Sequence, residues 1–201
     1  MLINKKMEQI KTNHYLKEIT EITYEISEYS TICNNDVYIN FKHDLGMPDY
    51  ALKSRGGNII DSSKSFCSKK PPSLILNNKV EPGNCWITVA KDAFVEISIS
   101  EKVEVVSISI EHSSKLLVRQ NNRTTAPKFG YVYSKLNYID DYIKIGSFHY
   151  EINCSEIQLF PVYTPSMAQF IKIEFIENYG SHRMCIYRIR VHGNIENFVS
   201  L

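Results

Sequence analysis

Alternating hydrophobic and polar residues dominate the middle and the C-terminal part of the chain. Residues 95–99 and 106–110 each alternate valine or isoleucine with a polar residue. Side chains two positions apart share one face of a strand, so this period predicts half-buried β-strands. Many short strands with turns between them favour an antiparallel β-sandwich. Further short strands are predicted at 131–133, 143–150, 157–163 and 170–176.

The same alternation predicts one closing strand from Met184 to the turn at Gly193. Its two faces carry different chemistry, with Cys185, Tyr187, Ile189 and Val191 on one side and Arg188, Arg190 and His192 on the other. A strand so rich in tyrosine, cysteine and arginine indicates a role beyond filling a core.

A different period precedes the β pattern. Hydrophobic residues recur at alternating steps of four and three over roughly three heptads, which predicts a helix over residues 2–33 with a coiled-coil seam. Isoleucine at successive seam positions favours three or four strands over two, and the alternative is one amphipathic helix packed on its own domain. The seam comprises Tyr15, Ile19, Ile22, Ile26, Tyr29 and Cys33.

These patterns predict a helical stalk (1–33), a linker (34–47), a β domain (48–195) and a short tail (196–201). Lys and Arg number 23 against 22 Asp and Glu, a balance that gives no broad basic surface for nucleic acid. Apolar runs are too short to cross a bilayer, and charges interrupt the N-terminus where a signal peptide needs an apolar stretch. A membrane would therefore be reached only through an anchor absent from this chain.

Catalytic motifs are missing, so we expect the protein not to be an enzyme. The sequence has no Gly-rich phosphate loop and no Gly-x-Ser-x-Gly motif. Glu111 and His112 could form acid–base machinery, but at a strand end such a pair more often fixes a loop. The five cysteines lack Cys-x-x-Cys spacing, which leaves buried thiols or at least one disulfide as alternatives.

The turn-rich stretch 77–84 has two interpretations. Its Pro-Gly-Asn sequence exposes backbone carbonyls, and a closed ring of carbonyls can hold a cation. An ordinary tight turn has the same composition, and composition alone favours it.

Five motifs, in order, carry a resemblance to a known family. They lie at residues 48–52 (Pro-Asp-Tyr-Ala-Leu), 82–86 (Pro-Gly-Asn-Cys-Trp), 110–112 (Ile-Glu-His), 125–128 (Thr-Ala-Pro-Lys) and 178–193 (Asn-Tyr-Gly through Val-His-Gly). In order and spacing, roughly residues 46–195 resemble a SUN domain, the C-terminal module of Sad1/UNC-84 proteins.

The resemblance implies a β-sandwich on a coiled-coil stalk that assembles as a homotrimer. SUN domains lie in the perinuclear space of the nuclear envelope and bind C-terminal tail peptides of KASH proteins. The pair forms the LINC complex, which links the nucleus to the cytoskeleton.

Site residues follow from the resemblance one by one. Cys85 and Cys185 match a disulfide pair that holds a potassium-binding loop, here residues 74–84. His112, Thr125 and Tyr187 match the pocket for the end of the KASH peptide, and hydroxyl donors suit a terminal carboxylate. The implied potassium ligands, mostly main-chain, are Leu74, Asn77, Lys79, Asn84 and Tyr187.

The chain departs from the family in four places. Lys79 stands where the family usually has an acidic residue, and Arg183 where the pocket has a second tyrosine, although arginine can pair with a carboxylate. Lys64 replaces a cysteine that can cross-link a KASH partner. The long hairpin called the KASH lid is reduced to residues 62–72, a segment that we call the lid remnant.

A missing lid removes a strand that would pair with the bound peptide. Two alternatives to KASH binding follow. One is a lid-less domain that binds another lumenal protein, with the endoplasmic reticulum lumen as its compartment. The other is a carbohydrate-binding sandwich, because SUN domains resemble lectin-like discoidin folds.

Overall fold

The computed structural model describes residues 46–114, 116–117 and 123–195. The predicted helix and the C-terminal tail lie outside these residues, and the predicted domain boundaries stay predictions. Within the described part, no helix is long and apolar enough to span a membrane. That part has two 3₁₀ helices, Lys53–Arg55 and Pro72–Leu76, and eight strands: β1 (Asn58–Ser62), β2 (Trp86–Val89), β3 (Ala93–Glu111), β4 (Pro127–Lys135), β5 (Ile143–His149), β6 (Ile157–Asn178), β7 (Arg183–Ile186) and β8 (Arg188–Asn194).

The strands form an antiparallel sandwich, which confirms the predicted fold class. The larger sheet runs β1-β3-β6-β4-β5, and β8 pairs with the second half of β3. A two-stranded sheet joins β2 to β7. Every pairing is antiparallel.

Two long strands each replace two that the sequence suggests. The alternating stretches 95–99 and 106–110 belong to β3, and 157–163 and 170–176 belong to β6. The β3–β6 register shifts between Ser98 and Val103, where Glu101 and Lys102 are exposed. Since neither glycine nor proline lies there, β3 continues through this irregularity without ending.

The alternation of β3 holds in its first half only. Val95, Ile97 and Ile99 are buried to 0–2% exposure, as predicted. In the second half Ser107 and Ser109 are buried too. Ser109 Oγ lies 3.0 Å from His192 Nε2 of β8. Both faces of this half of the strand are therefore covered.

The prediction of a single closing strand is wrong, because two strands, β7 and β8, occupy this stretch. The chain leaves the two-stranded sheet after Ile186 and joins the larger sheet at Arg188, so Tyr187 lies between two strands with different partners. Arg190 and His192 are buried, at 4% and 1% exposure. Their partners come from distant segments, which the local alternation cannot reveal.

The start of the domain is bound to β8. Tyr50 donates its backbone N–H to the Val191 carbonyl (2.9 Å), and Asp49 pairs with Arg188 (3.2 Å). His192 Nδ1 lies 2.8 Å from the carbonyl of Pro48. The motif at 48–52 therefore joins the two ends of the domain, while Arg190 forms a buried ion pair with Glu111.

Candidate functional site

A disulfide between Cys85 and Cys185 connects the residue before β2 to β7. The two cysteines are 100 residues apart in sequence. The pairing implied by the resemblance is present, and it points to an oxidising compartment. Cys67, in the lid remnant, keeps a free thiol.

Tyr187 lies at the junction between β7 and β8, two residues after the disulfide. Its side chain is buried (4% exposed), and its hydroxyl accepts a hydrogen bond from the Gly83 N–H (3.0 Å). The ring meets His112 edge-on, with centroids 4.7 Å apart. Because a phenol can donate while it accepts, the Tyr187 hydroxyl can still offer a proton to a ligand.

His112 follows the last residue of β3 and is 3% exposed. Its backbone N–H donates to the Glu156 carbonyl (3.0 Å). Burial, reinforced by the nearby Arg123 charge, lowers the pKa of His112 to about 4. The imidazole is therefore neutral near pH 7, and its Nε2 atom is buried without a hydrogen-bond partner in the described structure.

Thr125 lies in the turn before β4. Its carbonyl accepts the N–H of Cys185 (2.8 Å), which places the turn beside β7. The residue is half-buried, so a ligand can reach this part of the surface. The structure thus gathers His112, Thr125 and Tyr187 around the β7–β8 junction; their role in binding stays a prediction.

The Arg183 side chain contacts the lid remnant, whereas the family resemblance places it in the peptide pocket. It is exposed at the start of β7, and its guanidinium lies 4.8 Å from the ring centroid of Phe66. Phe66 belongs to the lid remnant. Arg183 therefore contacts the lid remnant, and its role in peptide binding stays a prediction.

Arg123 is a buried cation beside the site that the sequence did not single out. It is 2% exposed and donates to the Ile152 carbonyl (2.9 Å) and to the Tyr150 hydroxyl. Its Nε atom is buried with no partner among the residues that the structure describes. A lone arginine in a polar loop has no periodicity, so the sequence carries no local signal for it.

Implied ligand residues of the 74–84 loop already make hydrogen bonds within the protein, and the potassium site stays a prediction. The side-chain oxygen of Asn84 accepts a hydrogen bond from the Lys70 ammonium (3.4 Å). The carbonyl of Leu74 accepts the N–H of Asn77 (3.1 Å), and Lys79 is exposed.

Comparison with known proteins identifies relatives of the chain. The family model described as Sad1 / UNC-like C-terminal matches residues 65–195. The nuclear migration and anchoring protein unc-84 of Caenorhabditis elegans is 27% identical over 96% of this chain and 19% of its own length. SUN domain-containing protein 3 of Bos taurus is 29% identical over 87% of this chain and 54% of its own. The chain thus spans about half the length of these relatives or less.

Among solved structures, the family 32 carbohydrate-binding module of Streptococcus pneumoniae EndoD has the same fold. The TM-score is 0.59, at 14% identity, over 73% of this chain and 100% of the module. At that identity the likeness shows the sandwich fold alone.

Proposed function

The chain belongs to the Sad1/UNC-like family of SUN domains, and on that premise we propose that it is a nuclear-envelope tethering module that binds KASH-protein tail peptides in the perinuclear space. The name of the nematode relative, a nuclear migration and anchoring protein, supports this role. The disulfide suits a lumenal compartment. Family membership also confirms that the protein is not an enzyme.

The convergence of His112, Thr125 and Tyr187 carries the proposal. The hydroxyls of Thr125 and Tyr187 are donors for a carboxylate, and Tyr187 is held in place by Gly83 and by the His112 ring. A carboxylate accepts several hydrogen bonds at once, and charge-assisted bonds of this kind are stronger than neutral ones. The peptide's terminal carboxylate is therefore the group that this pocket captures.

Titration of the full chain with two forms of one labelled KASH tail peptide tests the proposal. The form with a free C-terminal carboxylate should bind about tenfold more tightly than the amidated form, because hydrogen bonds to a charged group contribute roughly 1.5–3 kcal/mol. A third peptide, extended by one glycine, moves the carboxylate and should lose the same advantage. Equal binding of all three, or no binding of any, contradicts the proposal.

The trimer is part of the same proposal, because the isoleucine seam favours more than two strands. The mass in solution, measured for the full chain and for a chain that begins at residue 34, tests it. A trimer that becomes a monomer on truncation is expected, and a monomer in both cases would argue against any pocket shared between subunits.

A second candidate function, binding of another lumenal protein, is favoured by the position of the lid remnant. The Phe66 N–H donates to the Ile87 carbonyl (2.9 Å), and the Thr88 hydroxyl donates to the Lys64 carbonyl (3.1 Å). One edge of the remnant thus faces β2, so that edge is not available to a peptide strand. Cross-linking in cells that recovers lumenal chaperones or glycoproteins, and no KASH protein, would favour this candidate.

A further inference from the structure

The lid remnant ends on the loop that the family resemblance assigns to potassium. Its first part follows β2, and the Trp86 indole N–H donates to the Ser65 hydroxyl (2.9 Å). The Lys70 N–H then donates to the Cys67 carbonyl (2.9 Å) and closes a turn. That turn carries the half-buried Lys70 side chain to Asn84, where its ammonium donates to the amide oxygen (3.4 Å).

The local charge disfavours a free cation at this position. Between residues 62 and 84 the sequence has four lysines and one glutamate. This stretch therefore offers one acidic side chain to attract a mobile cation, against four ammonium groups that repel it. The Lys70 ammonium, in contrast to a free ion, is covalently attached to the chain. This attachment raises its effective concentration at Asn84, so it can lie there despite the neighbouring lysines.

The loop is closed by contacts within the protein. Asn84 donates its N–H to the Glu81 carbonyl (2.9 Å), and Gly83 donates to the Tyr187 hydroxyl (3.0 Å). The disulfide at Cys85 fixes the end of the loop to β7. These bonds join the loop to the candidate pocket through Tyr187, so the conformation of the loop affects the position of the Tyr187 hydroxyl.

We propose that the Lys70 ammonium takes the place of a bound alkali cation at Asn84 and makes the 74–84 loop independent of potassium. The shortened lid and the missing acidic residue at Lys79 are then two parts of one change. The lid remnant supplies a permanent internal cation, and the loop no longer needs an acidic side chain to attract an ion from solution. This inference does not depend on whether the pocket binds KASH peptides.

Thermal unfolding of the full chain in potassium chloride and in choline chloride, at equal ionic strength, tests the proposal. The unmodified protein should melt at the same temperature in both salts. Lys70→Met should melt about 2–4 °C lower in choline chloride, the shift that the loss of one such interaction produces in a chain of this size. Potassium chloride should restore this loss at least in part, because the vacated amide oxygen can then accept an ion.

Lys69→Met is the matched control, since it removes an adjacent, exposed lysine and the same charge. It should behave like the unmodified protein in both salts. Three results would overturn the proposal. The first is selective stabilisation of the unmodified protein by potassium. The second is a Lys70→Met variant that melts like Lys69→Met. The third is a Lys70→Met loss that potassium does not reverse, which would make Lys70 an ordinary loop contact.

Discussion

Two regions of the domain are rich in aromatic side chains and cations, the β7–β8 junction and the outer face of β4, β5 and β6. On the outer face the Tyr133 hydroxyl donates to Glu174 (2.9 Å), and beside it the Tyr142 hydroxyl donates to Glu96 of β3 (3.2 Å). The rings are covered by cations, with Lys144 Nζ 3.4 Å from the Tyr131 centroid. These hydroxyls and this ring are therefore already paired with other groups of the protein.

The junction differs in the pairing of its polar atoms. His112 Nε2 and Arg123 Nε are buried without partners in the part of the chain that the structure describes. Unpaired buried polar atoms are costly and uncommon in native proteins, and they are found where a ligand or a water completes the structure. Ser100 Oγ, Arg188 Nε and Arg190 Nη1 are also buried without partners in the described residues. The contrast teaches that neither the number of tyrosines nor an unpaired atom locates a site by itself, whereas at the junction the unpaired atoms coincide with the cluster of motif residues.

Loss of the disulfide should have the largest effect on the junction. Replacement of Cys85 and Cys185 by alanine should lower the free energy of unfolding by about 2–5 kcal/mol, because the bond constrains a long loop of the unfolded chain. Urea unfolding under non-reducing conditions measures this change. Cys67→Ala, which removes a free thiol, is the control and should change stability far less.

Acid should destabilise the junction through His112. Its pKa is about 4 in the folded protein and near 6.5 in the unfolded chain, so the unfolded state binds more protons between these values. Stability therefore falls as the pH drops from about 6.5 towards 4, by up to roughly 3 kcal/mol, with no further change from this residue below that range. His112→Gln should flatten the dependence, whereas substitution of the exposed His149 should not.

A matched pair of hydroxyl deletions compares the two regions directly. Tyr187→Phe should weaken binding of the carboxylate peptide about tenfold, because it removes one hydrogen bond to a charged group. Tyr133→Phe also removes a bonded hydroxyl, on the outer face, and should leave peptide affinity unchanged. Equal losses in both variants would mean that the junction is not the binding region.

The smallest effect is expected for Lys135 on the outer face. Its ammonium lies 4.5 Å from the Tyr142 ring centroid, 5.2 Å from that of Tyr138 and 5.6 Å from that of Phe170. Lys135→Met should reduce the free energy of unfolding by about 0.5–1 kcal/mol, the usual contribution of an exposed cation–π contact. Peptide binding should be unaffected; a loss of affinity would assign a binding role to this face.

The β-sandwich could be predicted because its signal is local. The period of two in 95–99 reports burial of one face, and the strand formed as expected. The division of the closing strand could not be predicted, because Tyr187 leaves one sheet for another through pairings with β2 and β3 that are distant in sequence. The burial of Arg190 likewise depends on Glu111, 79 residues away.

The candidate site was predictable only through the motifs of the family. They led to His112, Thr125 and Tyr187, and the structure places these residues around one junction. Arg123 was missed because its burial depends on Tyr150 and Ile152. The contact between Lys70 and Asn84 was missed for a similar reason, since it depends on the path of the lid remnant.

The structure of the full chain bound to a KASH tail peptide tests the central claim most directly. The account predicts the terminal carboxylate within hydrogen-bond distance of the Thr125 and Tyr187 hydroxyls, beside the neutral His112 ring. A peptide that binds along the outer face of β4–β6, or whose terminal carboxylate lies in solvent away from the β7–β8 junction, would contradict it.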